Sequence, residues 1–241
     1  MEEDKQNLLL YKVVNDNMLL DEHVQGLLEK YIKNDSVISF GTGPLNKEFI
    51  KKLSVYISEN NLNIKIVPTS HTMSELCSNL KIQTVSLDDV EVDLAFDFVD
   101  QVDEDFNYIS NETTSLVRDK MIAQEASELI IVCEEQNFVK KLNYNLLLEI
   151  CPFAVNKTLI QTMNLGEAKI VLKQNGEPLL SETGNHFLQV QVDEIYDVDD
   201  IEFQAKKITG VLETSLFIGY ADRVLLHGST ITMKSRMTNL D

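Results

Sequence analysis

Ser36-Val37-Ile38-Ser39-Phe40, followed without a break by Gly41-Thr42-Gly43-Pro44-Leu45, decides the reading of the fold. Five residues of mostly apolar character bounded by a glycine turn read as a buried strand. Pro44 suits the first turn of a helix, where a missing N–H costs little. Leu45, Phe49, Ile50, Leu53, Tyr56 and Ile57 then recur at helical spacing. Strand, tight turn, helix is the repeating unit of a parallel sheet.

The alternation extends on both sides. Upstream, Leu19, Leu20, Val24, Leu27, Leu28, Tyr31 and Ile32 predict a helix over 18–32, broken by Asn34-Asp35. Downstream, strands are expected at 63–67, 84–86, 92–99 and 129–133, with helices at 72–79 and 113–127. Together they imply a parallel sheet covered on both faces. Near residue 140 the pattern changes. Strand-like runs at 146–150, 169–173 and 186–192, helices near 157–163 and 199–208, and a hairpin signal at Asn175-Gly176 suggest an α+β module. Buried-strand character returns at 216–218 and 223–227. The fold class is therefore α/β: a Rossmann-like parallel-sheet domain over 18–140 and 213–232, with an inserted smaller α+β domain over 141–212. An N-terminal arm is expected at 1–17 and a frayed polar tail at 233–241.

Composition narrows the function. The chain has 241 residues, with 21 basic against 39 acidic side chains and a net charge of −18. A broad nucleic-acid grip is excluded, because phosphates need Lys and Arg. An anionic membrane surface is disfavoured for the same reason. No run approaches the ~18 apolar residues of a membrane span. Cys77, Cys133 and Cys151 form no CxxC pair, and the opening MEEDKQNLLLYKVV lacks the basic region of a signal peptide. A reduced, cytoplasmic setting is expected.

Several residues could carry chemistry. The Gly41-Thr42-Gly43 turn at a helix start reads either as an anion cradle or as a tight turn only; Pro44 offers no amide donor and Leu45 no hydroxyl. Asp97 and Asp100 stand at the carboxyl end of a strand, where open α/β sheets bind ligands. They suit general acid/base work or hydroxyl binding. Asp103, Glu104 and Asp105 read as a solvated charge run, and nothing else at ligand spacing completes a metal site. Arg118-Asp119-Lys120 reads as a surface salt-bridge patch unless its helix faces the crevice. The histidines make no HxH or HExxH pattern, and no GxSxG elbow occurs. Cys133, within a buried strand, is expected to be inert.

In this order the motifs resemble the ribose-5-phosphate isomerase A family. That family carries Gly-Thr-Gly-Ser-Thr after its first strand, then Asp-Gly-Ala-Asp-Glu, Lys-Gly-Gly-Gly and Arg-Glu-Lys. Here GTGPL (41–45), DLAFDFVDQVDEDFNYI (93–109) and SNETTSLVRDKMIA (110–123) take those places. TGN (183–185), TGVLETSLF (209–217) and ADRVLLHG resemble the closing segments. The resemblance spans about 18–230.

The resemblance implies an aldose–ketose isomerisation through an enediol, with no metal and no organic cofactor. It makes Asp119 the base, one methylene shorter than the family's Glu, and Asp97 and Asp100 its catalytic companions. It places substrate contacts at Thr42, Gly43, Pro44, Leu45, Ser110, Asn111 and Asn137. Ser110 and Asn137 fall where the family carries Lys, and so do Asp21-Glu22. A cation beside a developing oxyanion is typically worth ~3–4 kcal/mol. The implied partner is a small sugar phosphate, with activity weak or lost, and the implied assembly a homodimer or homotetramer. The alternative is a non-catalytic paralogue that binds another small molecule or a protein partner. A sugar-sensing domain of a transcription regulator lacks support, since no helix-turn-helix precedes the sheet.

Overall fold

The computed structural model describes residues 24–192, 194–228 and 230–236. The expected arm, the Asp21-Glu22 pair and residues 237–241 lie outside them. After a first helix (α1, residues 24–31) the chain forms β1 (Val37–Phe40), α2 (Pro44–Asn60), β2 (Lys65–Pro68), α3 (His71–Asn79), β3 (Gln83–Thr84) and β4 (Leu94–Phe98). Two short strands, β5 (Gln101–Asp103) and β6 (Tyr108–Ile109), precede α4 (Leu116–Glu125), β7 (Leu129–Glu134) and β8 (Phe138–Val139). Then come β9 (Leu146–Ile150), α5 (Val155–Thr162), β10 (Glu167–Ile170), β11 (His186–Gln191), α6 (Val198–Lys206) and β12 (Val211–Thr214). The chain closes with β13 (Leu216–Phe217), β14 (Arg223–His227) and β15 (Ile231–Ser235).

The main sheet has seven strands in the order β15-β14-β7-β4-β1-β2-β3. Its pairings are parallel except β14 with β15. From β1 the chain steps outward to β2 and β3, then returns to the other side of β1 with β4. That reversal opens a crevice at the carboxyl ends of β1 and β4.

Both faces of the sheet are covered, and strand alternation assigns each residue to one of them. Ile38, Phe40, Phe96, Phe98, Ile130 and Val132 face the core under α1, α2 and α3. There Phe40 stacks on Phe96 at 5.9 Å between ring centres. Ala95, Val99, Ile131 and Cys133 face the opposite core, which includes Ile122 and Ala123 of α4. By the same alternation Asp97 belongs to the α4 side. Helix starts follow the sequence: Ser70 Oγ accepts from the Met73 amide at 3.1 Å and Ser115 Oγ from Arg118 at 3.3 Å.

A second sheet, order β10-β11-β9-β12, is antiparallel with α5 and α6 packed beside it. A third, with the order β13-β6-β5-β8, has no counterpart in the sequence pattern. Leu216-Phe217, read as a return to buried-strand character, pairs there with β6 rather than with the main sheet. Two further expectations are corrected. Met233–Ser235 do not fray but continue β15, paired with β14. Asp103 is buried, not solvated: its carboxylate accepts the amides of Asp105 and Asn107 at 2.9 and 2.8 Å and so closes the β5–β6 turn. Glu104 and Asp105 are exposed as expected.

Lys120 ties α4 to the second module. Its ammonium meets Glu213 at 2.7 Å and Glu202 at 3.1 Å, and its side chain is 9% exposed. Burial pushes the Glu213 carboxyl up, and Lys120 and Lys206 outweigh it, holding the group below its ordinary value. Lys120→Met removes the buried cation that two partly buried carboxylates share, leaving Glu213 with Lys206 and Glu202 with the Thr214 hydroxyl. It is expected to cost about 3 kcal/mol, read as a lower urea midpoint at unchanged slope.

Candidate active site

At the sheet's reversal point three elements converge: the turn after β1, the end of β4, and the first turn of α4. Asp97 is the penultimate residue of β4. Its Oδ1 accepts from the Asn46 amide nitrogen of α2 at 3.1 Å and its Oδ2 from the Ser110 hydroxyl at 3.0 Å. The chain at Gly41 passes so close that a Cβ there would lie 1.9 Å from Asp97 Oδ1. Gly41 is held in place by its own amide, which donates to the Phe96 carbonyl at 3.0 Å. The first glycine of the turn therefore serves a close approach.

Asp119 approaches from the opposite wall. Successive helical residues diverge by about 100°, and 118–120 separate accordingly. Arg118 reaches the Thr69 carbonyl at 3.3 Å and Glu182 at 3.6 Å. Lys120 turns to Glu202 and Glu213. Asp119 turns inward, so the expected salt-bridge patch is not formed. The Thr113 hydroxyl donates to Asp119 Oδ2. Asp119 Oδ1 is buried and has no hydrogen-bond partner. Asp97, Asp119, Gly41 and Tyr108 line one cavity of about 20 Å³, the size of a water molecule.

Enclosure shifts both acids. Burial raises the Asp97 carboxyl to about 7, against its bonds from Asn46 and Ser110, with Asp100 adding to the rise. Burial raises Asp119 to about 8. Asp97 and Glu149 reinforce that rise, while Thr113 and Arg118 oppose it. Two carboxyls that resist ionisation line one cavity, the kind of perturbed group that marks a candidate site.

The remaining expected site residues divide. Asp100 Oδ2 accepts the Asn111 amide at 2.7 Å, and Asn111 also donates to the Asn145 carbonyl at 2.8 Å. Ser110 is buried beside Asp97. Thr42 instead meets the Thr69 hydroxyl at 3.0 Å. Gly43 caps α2, and a Cβ there would lie 2.7 Å from Glu112. Pro44 and Leu45 line a cleft of about 500 Å³ with Lys47, Lys51, Thr72 and Glu112. Asn137 lies in the short turn after β7, one strand over from Asp97. Cys133 is buried, and burial raises its thiol to about 12, so it is inert. No cluster of potential metal ligands occurs among the described residues.

Sequence reasoning missed Asn46, Tyr108, Thr113 and Glu149. Each acts through a fold contact with no local pattern. Fully buried Glu149, on β9, accepts the Val117 amide at 3.3 Å and the Asn185 side chain at 2.8 Å, and so anchors the start of α4.

The family model for ribose 5-phosphate isomerase A (phosphoriboisomerase A) matches residues 65–230. Ribose-5-phosphate isomerase A of Prochlorococcus marinus subsp. pastoris is 34% identical over 203 residues, covering 81% of this chain and 87% of that protein. The Bacillus mycoides protein is 29% identical over 217 residues, covering 89% and 96%. The solved ribose 5-phosphate isomerase A of Methanocaldococcus jannaschii is 27% identical with a TM-score of 0.83, covering 92% of this chain and all (100%) of that one. A D-ribose-5-phosphate isomerase in complex with phospho-erythronic acid is 28% identical, also with a TM-score of 0.83, covering 91% and 99%. With the parallel sheet, the reversal-point crevice and the paired acids in place, these matches show that the chain belongs to the ribose 5-phosphate isomerase A family.

Proposed function

We propose that the protein interconverts ribose 5-phosphate and ribulose 5-phosphate slowly, with Asp119 as the base. The observation that carries this reading is the shared cavity: Asp97 and Asp119 line it together, and Asp119 Oδ1 is unpartnered. In the open-chain sugar, ionised Asp119 removes the proton from C2 as the carbonyl at C1 gains electron density. The resulting enediol takes that proton back at C1. The hydroxyl proton at O2 leaves as O1 acquires one, so the aldehyde becomes an alcohol and the alcohol a ketone. Asp97 and Asp100 hold the sugar hydroxyls. A relative solved with a phosphorylated four-carbon sugar acid supports a sugar phosphate as ligand class.

Low rate follows from charge. Ser110, where the resemblance places a lysine, gives the developing oxyanion a hydroxyl, and that hydroxyl is bonded to Asp97. Arg118 lowers the Asp119 value, yet its guanidinium is engaged by Glu182. With Asp119 near 8, only about one-tenth is ionised at pH 7. The kcat/KM is therefore expected to climb between pH 7 and pH 9, as the free enzyme's base loses its proton. A profile already flat at pH 7 would place the working base elsewhere.

The phosphate end is assigned to the mouth of the larger cleft, beside Pro44 and Leu45. Pro44 lacks an amide donor, Glu112 and Glu48 stand at the wall beside Lys47 and Lys51, and Lys51 is paired with Glu48. Ribose 5-phosphate is expected to bind with Kd at or above about 1 mM. Calorimetry on the full chain measures this, and a coupled ribulose 5-phosphate assay measures turnover. Micromolar affinity would reject the weak-binding reading.

The second reading, a non-catalytic paralogue, draws on the size of the acid cavity, about 20 Å³ and too small for a sugar. Absence of turnover at pH 9 with intact fold would favour it. A cytoplasmic compartment and a homodimer or homotetramer complete the proposal. The three cysteines are free, and no helix among the described residues is long and apolar enough to cross a membrane.

A further inference from the structure

Thr113 occupies an unusual place in the site. Its hydroxyl oxygen accepts the Ser115 amide at 2.9 Å. A hydroxyl has one proton to give, and here it goes to Asp119 Oδ2. The Thr113 amide is fixed as well, donating to the Asn111 carbonyl at 2.9 Å. The side chain is thus anchored through the cap of the helix that carries Asp119, since Ser115 is the N-cap of α4. One oxygen of Asp119 is held by a donor whose direction is set, and the other is left bare.

We propose that Thr113 is a positioning residue that distinguishes the two oxygens of Asp119, holding Oδ2 and turning Oδ1 into the cavity shared with Asp97. The proposal rests on the isomerase reading for its catalytic meaning, but the positioning itself is measurable without turnover. Without the Thr113 bond, the carboxyl is free to rotate about its last torsion, and either oxygen can face the cavity. A proton abstraction that depends on placement within a fraction of an ångström loses efficiency under such rotation.

The same bond bears on protonation. The groups facing Asp119 are Asp97 from β4, Glu149 from β9, Tyr108 from β6, and Arg118 and Thr113 from its own segment. The two carboxylates favour the protonated form; Arg118 and the Thr113 hydroxyl favour the ionised one. Thr113 is a neutral donor bonded to Asp119, so it can be removed without changing any charge.

The test uses carbon-13 NMR titration of the aspartate carboxyls in the full chain, assigned with Asp119→Asn, alongside the pH profile of kcat/KM. Thr113→Val is expected to raise the Asp119 midpoint by about one pH unit. The acidic limb of kcat/KM should move by the same amount, a loss approaching tenfold at pH 7, while Thr113→Ser restores both. Thr113→Cys keeps an atom against the Ser115 amide and offers only a weak donor, so it should fall between. It also serves if the valine variant does not fold. An unmoved Asp119 midpoint in the valine or cysteine protein overturns the proposal. So does failure of serine to restore it. If the parent shows no turnover but the midpoint moves as stated, the positioning stands and the isomerase reading fails.

Discussion

Asp119→Asn is expected to remove isomerase turnover, lowering kcat/KM by about 10³-fold or more, and at the same time to make the folded protein more stable at pH 8. The first effect follows from the loss of the base, since an amide cannot accept the C2 proton. The second follows from linkage. In the folded chain Asp119 titrates near 8, against 3.8 for an ordinary aspartate. Between those values the folded state holds a proton that the unfolded state has lost. Stability from this group is thus full below about pH 4 and is lost as pH rises through 8. Asparagine is neutral throughout and escapes that loss. A gain on the order of 2 kcal/mol at pH 8, vanishing near pH 4, is expected in urea melts. Asp119→Glu keeps the carboxylate and restores the missing methylene; its turnover should rise modestly, because Ser110 still supplies no charge. An asparagine variant that turns over at the parental rate would remove Asp119 from the mechanism. One whose gain over the parent is no larger at pH 8 than at pH 4 would show that the parent's Asp119 carboxyl is not forced to stay protonated.

Opposite outcomes for activity and stability are what a built site produces. Nothing in folding requires Asp97 and Asp119 to share a cavity, and the Asp97 carboxylate disfavours ionisation of Asp119. The fold carries that penalty on well-covered faces: Phe40, Phe49 and Phe96 pack together on one side of β4, and Ile122, Ile131 and Val224 lie on the other.

The inner strands of the main sheet were legible because they are buried on both faces and therefore read as mostly apolar runs, as in Ser36–Phe40 and Leu129–Cys133. The third sheet was not. Its strands are two or three residues long, as at Tyr108-Ile109 and Leu216-Phe217, too short to show a period. β15 was misread because an edge strand needs no apolar alternation; Thr232, Lys234 and Ser235 are tolerated where one side faces water. Asp103 looked like its acidic neighbours because burial of a turn-forming carboxylate leaves no mark on composition. At the site, Asp97 was placed by its position at a strand end. The inward turn of Asp119 was open, since helical spacing alone does not say which of residues 118–120 faces the crevice. Thr113 lies six residues before Asp119 and Asn46 fifty-one before Asp97; neither pairing follows a periodic rule.

Gly41 offers the sharpest separation of a structural glycine from a site glycine. It does not occupy the left-handed region, so alanine meets no backbone penalty there, and Gly43 at φ −56° is likewise unrestricted. The two differ in what a Cβ would strike. At Gly43 it meets the exposed Glu112 carboxylate at 2.7 Å and the Glu112 Cβ at 3.2 Å, contacts that a shift of a few tenths of an ångström in one surface residue relieves. At Gly41 it meets Asp97 Oδ1 at 1.9 Å and the Asn46 nitrogen at 2.8 Å. The backbone cannot retreat without breaking the bond from its amide to Phe96. The Asp97 carboxylate must rotate instead, giving up Asn46 and entering the cavity toward Asp119. Gly41→Ala is therefore expected to reduce kcat/KM by about 100-fold or more while costing about 1–3 kcal/mol of stability, in the range of an overpacked core. The Asp119 carboxyl, with a second carboxylate pushed closer, should titrate still higher. Gly43→Ala should lose much less on both counts. Equal and small losses from the two variants would mean that the placement of Asp97 does not govern the reaction, whereas a large loss confined to Gly41 ties the first glycine of the turn to the carboxylate rather than to a phosphate.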